Sequence, residues 1–167
     1  YAQNLAGRTG IAVRHVILSN GVALTRPMLT YIKEHGITLS LSLDGLGDSH
    51  NDQRGFVNGR GSADIVARSI DRALQQGVKP HLSITVTSRN ADAVAEAVKF
   101  ALARDLLFNL NFFRENDAAK EHGDLRAEDS ALIDSVQRAF KVIEGNLPQY
   151  SLLTSLVDRA NFAAVHE

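Results

Sequence analysis

The chain has no cysteine among its 167 residues. Without a thiol it can form no disulfide, no zinc–thiolate site and no thiolate-held iron–sulfur cluster of its own. Such a composition fits a reducing compartment, and a cytoplasmic location is expected. Neither sign of charge dominates: 18 basic and 19 acidic side chains leave a net charge of -1. Nucleic acid would need a basic face and is not expected as a partner. No apolar run approaches the roughly 20 residues of a membrane span. The first residues, Tyr1-Ala2-Gln3-Asn4, carry neither the basic nor the apolar part of a signal peptide, so no membrane role is expected. They also lack a Met, which raises the expectation that the chain is a piece of a longer protein.

What is present is ordinary for a globular domain. Hydrophobic residues make up 44% and charged residues 22%, and the length suffices for one domain with its own core.

The most informative stretch is Ile37-Thr38-Leu39-Ser40-Leu41-Ser42-Leu43-Asp44-Gly45. Apolar residues take the odd numbers and small polar residues the even ones. Strand side chains alternate between two faces, so a strand over 37–44 has one aliphatic face and one of hydroxyls, ending in a carboxylate. The flanking segments read as helices, which predicts a parallel sheet. Parallel strands are normally apolar on both faces because helices cover both. A polar face on such a strand must meet something other than a helix, and a polar ligand at its C-terminal end is the natural candidate.

The pattern repeats along the chain. A helix end over residues 1–10 is followed by a short strand, Val16-Ile17-Leu18, and the turn Ser19-Asn20-Gly21. Thr25 is placed to cap a helix with Pro27 in its first turn and Met28, Leu29 and Ile32 on its buried face; Gly36 ends it. A long polar connection is read from Gly45 to Gly61. Ser62 then caps a helix carrying Val66, Ile70 and Ala73, which stops at Gly77. The strand Leu82 to Thr87 alternates again. Asn90 is read as the cap of a helix with a stripe of Val94, Ala97, Val98, Ala101 and Leu102. A strand over Leu107 to Phe113 follows, then a helix with Leu132, Val136, Phe140 and Ile143, and after Pro148 another near 152–160. Tyr31 and Phe140 are read as core residues.

Three successive strands therefore share one peculiarity. Leu82, Ile84 and Val86 oppose Ser83, Thr85 and Thr87; Phe108, Leu110 and Phe112 oppose Asn109 and Asn111. A shared polar surface with helices packed outside is the lumen of a barrel or half-barrel. The plain alternative, an antiparallel sheet with one wet face, is weakened by the helix-length connections. A closed eight-unit barrel needs about 250 residues, so four strands make a partial one. The expected fold class is α/β, a partial TIM-like barrel with parallel strands and helices outside.

Taken singly, the polar motifs are weak. Ser42-Leu43-Asp44-Gly45 suits a ribose or an ammonium group, yet Asp-Gly is also a common turn. Ser19-Asn20-Gly21 reads equally as a tight turn. Arg54 is built for bidentate contact with carboxylate or phosphate. Asp44, Asp48, His50 and Asp52 match no trusted metal spacing and read as a solvated acidic loop. The Gly55–Ser62 loop precedes a helix N-terminus, where a phosphate could bind, but lacks a P-loop ending. His15 and His81 read as packing or surface residues.

The order of these pieces is more specific than any of them. Ser19-Asn20-Gly21, a helix, Ser42-Leu43-Asp44-Gly45, His50 to Arg54, Gly61-Ser62 opening a helix, Val86-Thr87-Ser88-Arg89-Asn90, then Asn109-Leu110-Asn111-Phe112-Phe113 resembles the radical S-adenosylmethionine enzymes. The branch it is most similar to carries a SPASM extension and includes anaerobic sulfatase-maturating enzymes and peptide maturases. The resemblance implies part of a six-unit barrel. It also implies a parent enzyme that cleaves S-adenosylmethionine reductively at a 4Fe-4S cluster held on a Cys-x3-Cys-x2-Cys loop. The 5′-deoxyadenosyl radical so formed modifies a peptide, protein or small metabolite. By the same resemblance Ser42 contacts the cofactor's ribose or methionyl part, Asp44 shapes that turn, and Arg54 pairs with the cofactor carboxylate. Asn20 lines the cavity, and Leu110 or Phe112 approaches the adenine.

The chain departs from the family pattern. It lacks the cluster cysteines and the Gly-Gly-Glu stretch, and Leu46 stands where many relatives have Pro. Residues 1–167 are therefore expected to form a single partial barrel domain without the cluster-binding start and the C-terminal extension. This cysteine-free piece is expected to be inactive alone and to hold neither cluster nor cofactor. Two other readings stay open: a non-catalytic α/β binding or scaffold module, and an ordinary α/β enzyme acting on a phosphate-bearing substrate. An incomplete barrel leaves sheet edges unpaired, which predicts self-association, possible as a homodimer through the open edge.

Overall fold

The computed structural model describes residues 2–113 and 123–148. The elements run α1 (Ala2–Thr9), β1 (Val16–Ser19), α2 (Arg26–Glu34), β2 (Thr38–Ser42), α3 (Asp48–Arg54), α4 (Ala63–Gln75), β3 (His81–Val86), a 3-10 turn (Ala91–Ala93), α5 (Val94–Ala103), β4 (Phe108–Phe112) and α6 (Asp129–Gly145). The helix expected near 152–160 lies outside the described residues.

The four strands form one sheet in the order β1-β2-β3-β4, and every pairing is parallel. Neighbours in sequence are neighbours in space, and a helix bridges each parallel pair, as a barrel segment requires. This is the α/β, partial TIM-like arrangement that the alternating strands predict.

Register decides the two faces. Leu41 pairs with Leu82, and Leu82 with Phe108; Ile84 pairs with Leu110. These side chains are buried, with Leu39, Leu43 and Val86, against Leu29 and Ile32 of α2, Val66 and Ile70 of α4, and Val94, Val98 and Ala101 of α5. In the same register Ser42 pairs with Ser83, Ser83 with Asn109, and Thr85 with Asn111, so the hydroxyls and amides share the opposite face. Alternation thus sorts β2, β3 and β4 into an aliphatic side covered by helices and a polar side left uncovered by the described ones, while β1 adds the apolar Val16 and Leu18 to the polar side. α6 packs along α5 through Ser135, Ala139 and Ile143.

Several local expectations change. The stretch 45–61 is no simple loop: its acidic first part folds as α3. Two close approaches make room for it. A Cβ on Gly45 would lie 3.0 Å from Ser49 Cβ, and one on Gly61 would collide with the Asn51 amide. Only glycine allows both. Thr25 caps α2 as expected, accepting from Met28 N–H at 3.4 Å. Ser62 does not cap α4. Asn51 does so from α3, its Oδ1 accepting from the N–H groups of Ser62 at 2.8 Å and Ala63 at 3.0 Å. Those are donors a helix start leaves unsatisfied. Asn90 makes no side-chain cap either. Met28, Tyr31 and Phe140 are exposed rather than core. Each lies on a helix face that no described element covers, and Tyr31 stacks on His35 at 3.9 Å between ring centroids.

Candidate functional site

The site forms where β2 ends. Asp44 lies two residues past Ser42 and is 1% exposed. A buried carboxylate needs partners; this one has two, and the residue's main chain adds two more. Its Oδ1 accepts from Thr85 N–H at 2.7 Å. Its Oδ2 accepts from Arg54 Nε in an ion pair. Its main-chain N–H donates to His50 Nδ1 at 3.2 Å, and its carbonyl accepts from Asn90 Nδ2. Asn90 Nδ2 also donates to the Thr85 carbonyl at 2.8 Å, while its Oδ1 accepts from Thr87 N–H at 2.8 Å. Asn90 therefore clamps the ends of β2 and β3 together. Its expected role as a helix cap hid this.

His50 is buried beneath the same turn. An amide N–H can only donate, so Nδ1 must be bare to accept from Asp44. The ring proton is then on Nε2, which donates to Ser62 Oγ at 3.1 Å; the Ser62 hydroxyl in turn donates to the Arg54 carbonyl. Burial pushes the His50 pKa below the ordinary histidine value. The Asp44 charge opposes that shift, and the Arg54 charge adds to it.

Arg54 is half-buried, its side chain 37% exposed. Nε is committed to Asp44. No described residue accepts from its terminal nitrogens, which leaves the outer edge of the guanidinium for a planar anion.

The polar face continues from Ser42 toward the strand starts. Asn109 Nδ2 donates to Asn111 Oδ1 at 2.7 Å, and Asn111 Nδ2 to Ser83 Oγ at 2.8 Å. Together with Arg14, Ser40 and His81 these residues line a groove of about 430 Å³. His81, expected as a packing or surface residue, is part of this wall. Burial lowers its pKa, against a hydrogen bond to the Phe108 carbonyl that raises it.

The structure thus gathers Ser42, Asp44 and Arg54 around one strand end. Asn20 lies at the end of the neighbouring strand, exposed, with its Oδ1 accepting from Val22 N–H at 3.2 Å. Phe112 is at the end of β4, 38% exposed. Leu110 is in the core, on the helix-covered face opposite Ser42, and is not brought to the site. His50, Asn51 and Asn90 are the supporting residues; all three lie inside the sequence motifs, where His50 reads as part of a solvated loop, Asn90 as a helix cap and Asn51 has no reading of its own. Among the described residues no group of acidic or histidine side chains could hold a metal ion.

No protein-family model matches the chain, and no curated protein does. Solved structures do. Native anSMEcpe with bound AdoMet, an anaerobic sulfatase-maturating enzyme, superposes with a TM-score of 0.71 at 15% identity, over 93% of this chain and 42% of that one. The same protein with AdoMet and the Cp18Cys peptide gives 0.70 at 16% identity, over 86% and 42%. Streptococcus suis SuiB bound to S-adenosylmethionine gives 0.62 at 16%, over 88% and 34%. The chain shares the partial barrel fold of these proteins. It spans about two fifths or less of the length of these proteins.

Proposed function

We propose that this chain is the cofactor-facing part of a radical S-adenosylmethionine enzyme that modifies a peptide, protein or small metabolite. The observation that carries the reading is the polar sheet face ending in Ser42, Asp44 and Arg54, on a barrel fold shared with AdoMet-bound proteins. The residues present fit that cofactor. Arg54 offers its outer guanidinium edge to the cofactor carboxylate, Ser42 a hydroxyl to its ribose or methionyl part, and Asn20 flanks the neighbouring strand end; Phe112 shares the face of Leu110 and reaches the cofactor only past the end of β4. Asp44 holds Arg54 in place. When bound, AdoMet supplies a radical source for hydrogen abstraction. The groove over Ser83, Asn109 and Asn111 faces the peptide or other substrate.

The residues do not fit a 4Fe-4S cluster, because no thiolate exists to hold it. Residues 1–167 are read as a single partial barrel domain, with cluster and SPASM extension supplied by other parts of a longer parent, and alone the chain is inactive. β1 pairs only with β2 among the described residues, so one edge of the sheet offers unpaired backbone. Beside it, Ile17, Leu24, Pro27, Met28 and Tyr31 line an apolar hollow of about 360 Å³. A second copy docked there would give a homodimer, and a strictly monomeric sedimentation profile would remove that part of the proposal. A reducing, cytoplasmic setting suits the parent.

The missing cysteines favour one competing reading, a binding or scaffold module without catalysis. The full reading frame separates the two. The enzyme reading expects a Cys-x3-Cys-x2-Cys run ahead of Tyr1, and reductive AdoMet cleavage by the reconstituted full-length protein. A frame without those cysteines, or full-length protein with no cleavage, overturns it.

A further inference from the structure

His50 is assigned no contact with the cofactor above, yet three elements meet on it. Asp44 reaches it from the end of β2, its own helix α3 carries Arg54, and Ser62 reaches it from the start of α4. Every hydrogen bond around the ring has a fixed direction. The Asp44 N–H donates in, Nε2–H donates out to Ser62, and Ser62 donates on to the Arg54 carbonyl. One imidazole therefore touches Asp44 through its backbone and reaches the Arg54 carbonyl through the Ser62 hydroxyl.

We propose that neutral His50 is the positioning residue of the AdoMet carboxylate subsite: by accepting the Asp44 N–H it fixes the carboxylate that orients Arg54, and its protonation loosens that orientation. The inference rests on the AdoMet reading for its functional meaning, though not for its structural part. A protonated Nδ1 would point a donor at the Asp44 N–H, and the bond between them is lost. The new imidazolium then competes with Arg54 for the Asp44 carboxylate. The charged groups facing the ring are Asp44 from β2 and Arg54 from α3; α4 contributes only the uncharged Ser62. Asp48 and Asp52, on the ring's own helix, are exposed. Burial and Arg54 both disfavour the charged ring, so the neutral form prevails at neutral pH.

Two variants divide the ring's two functions. His50→Asn places an amide oxygen near the Nδ1 position and keeps an acceptor for Asp44. His50→Gln places an amide nitrogen near the Nε2 position, keeps the donor to Ser62, and loses that acceptor. The first measurement is nitrogen NMR of the chain from about pH 8 to about pH 5, following the His50 ring and the Arg54 Nε signal. The expected result is a bare Nδ1 at neutral pH and an Arg54 Nε signal that shifts as His50 titrates. That pH-dependent shift should vanish in His50→Asn. A protonated Nδ1 at neutral pH, or an Arg54 signal indifferent to His50 titration in the unmodified chain, overturns the proposal even where a variant fails to fold.

The second measurement is AdoMet affinity of the full-length protein over the same range. Affinity should fall below the His50 pKa by at most about tenfold per pH unit, the limit for one linked proton. His50→Asn should bind with a flat profile over this window, and His50→Gln several-fold more weakly throughout. Equal losses in both variants overturn the positioning role. Full-length protein that never binds AdoMet overturns the cofactor reading instead, while the NMR result on Arg54 stands apart from it.

Discussion

Asp44 Oδ1 accepts the main-chain N–H of Thr85 at 2.7 Å, which extends the pairing of β2 with β3 past its last register pair, Ser42 with Ser83. In a parallel ladder the Thr85 N–H would next meet the carbonyl of Leu43, after the Leu43 N–H has donated to the Ser83 carbonyl at 3.1 Å. The side-chain carboxylate stands in for that carbonyl. The backbone of β2 is thereby free to turn away toward α3 without leaving a donor of β3 unpaired.

Asp44→Ala should therefore destabilise the fold by about 2–3 kcal/mol, the range for hydrogen bonds to a charged group and the donors they leave behind. Urea denaturation measures it. Asp44→Asn, which keeps an acceptor for Thr85, should lose less. An Asp44→Ala midpoint equal to that of the unmodified chain would contradict the role given to this carboxylate.

Asn51→Ala should cost about 1 kcal/mol, since it removes the acceptor for both Ser62 N–H and Ala63 N–H at the start of α4. Asn51→Asp, which retains the acceptor oxygen, should recover most of the loss in thermal melts. If both substitutions were neutral, α4 would be capped by some other group.

Stability should decline on acidification. Burial depresses the pKa values of both His50 and His81, so the folded chain binds fewer protons than the unfolded one. The contribution is complete above the unfolded histidine value of about 6.5. It is lost as pH falls from there through the depressed native values. Chemical denaturation at a series of pH values checks this, and His50→Asn should flatten part of the decline.

The two sheet faces should respond differently to truncation. Phe108→Ala removes a fully buried ring and should cost about 3–5 kcal/mol. Ser40→Ala, on the polar face, should stay within about 0.5 kcal/mol. Comparable losses at the two positions in equilibrium unfolding would mean that the polar face is covered in the folded protein.

Much of this arrangement is legible in the sequence, and for a definite reason. Period-two alternation in 37–44, 82–87 and 107–113 reports which side chains share a face, and helix-length gaps report that the strands run parallel. The α3 segment was not legible. Asp48-Ser49-His50-Asn51-Asp52-Gln53-Arg54 has no apolar stripe, because the helix is held by its contacts with Asp44, Ser62 and Ala63 rather than by buried hydrocarbon. Ser62 and Asn90 look like caps by residue type, but tertiary partners claim their side chains. Leu110 illustrates a further limit. Its alternation with Asn109 and Asn111 already places it away from the polar face, and only the family resemblance, which offers Leu110 or Phe112, brings it to the adenine.

β1 is the least protected strand. Ile17 faces the helix side and Val16 and Leu18 the polar side, yet all three are exposed, Leu18 by 77%. Its only described neighbour is β2. Local opening should therefore begin at this margin and run inward, with the amides of 16–19 exchanging with solvent deuterium long before those of β3. A ligand that slowed exchange at β1 without touching β3 would reveal where the sheet is completed in its working state.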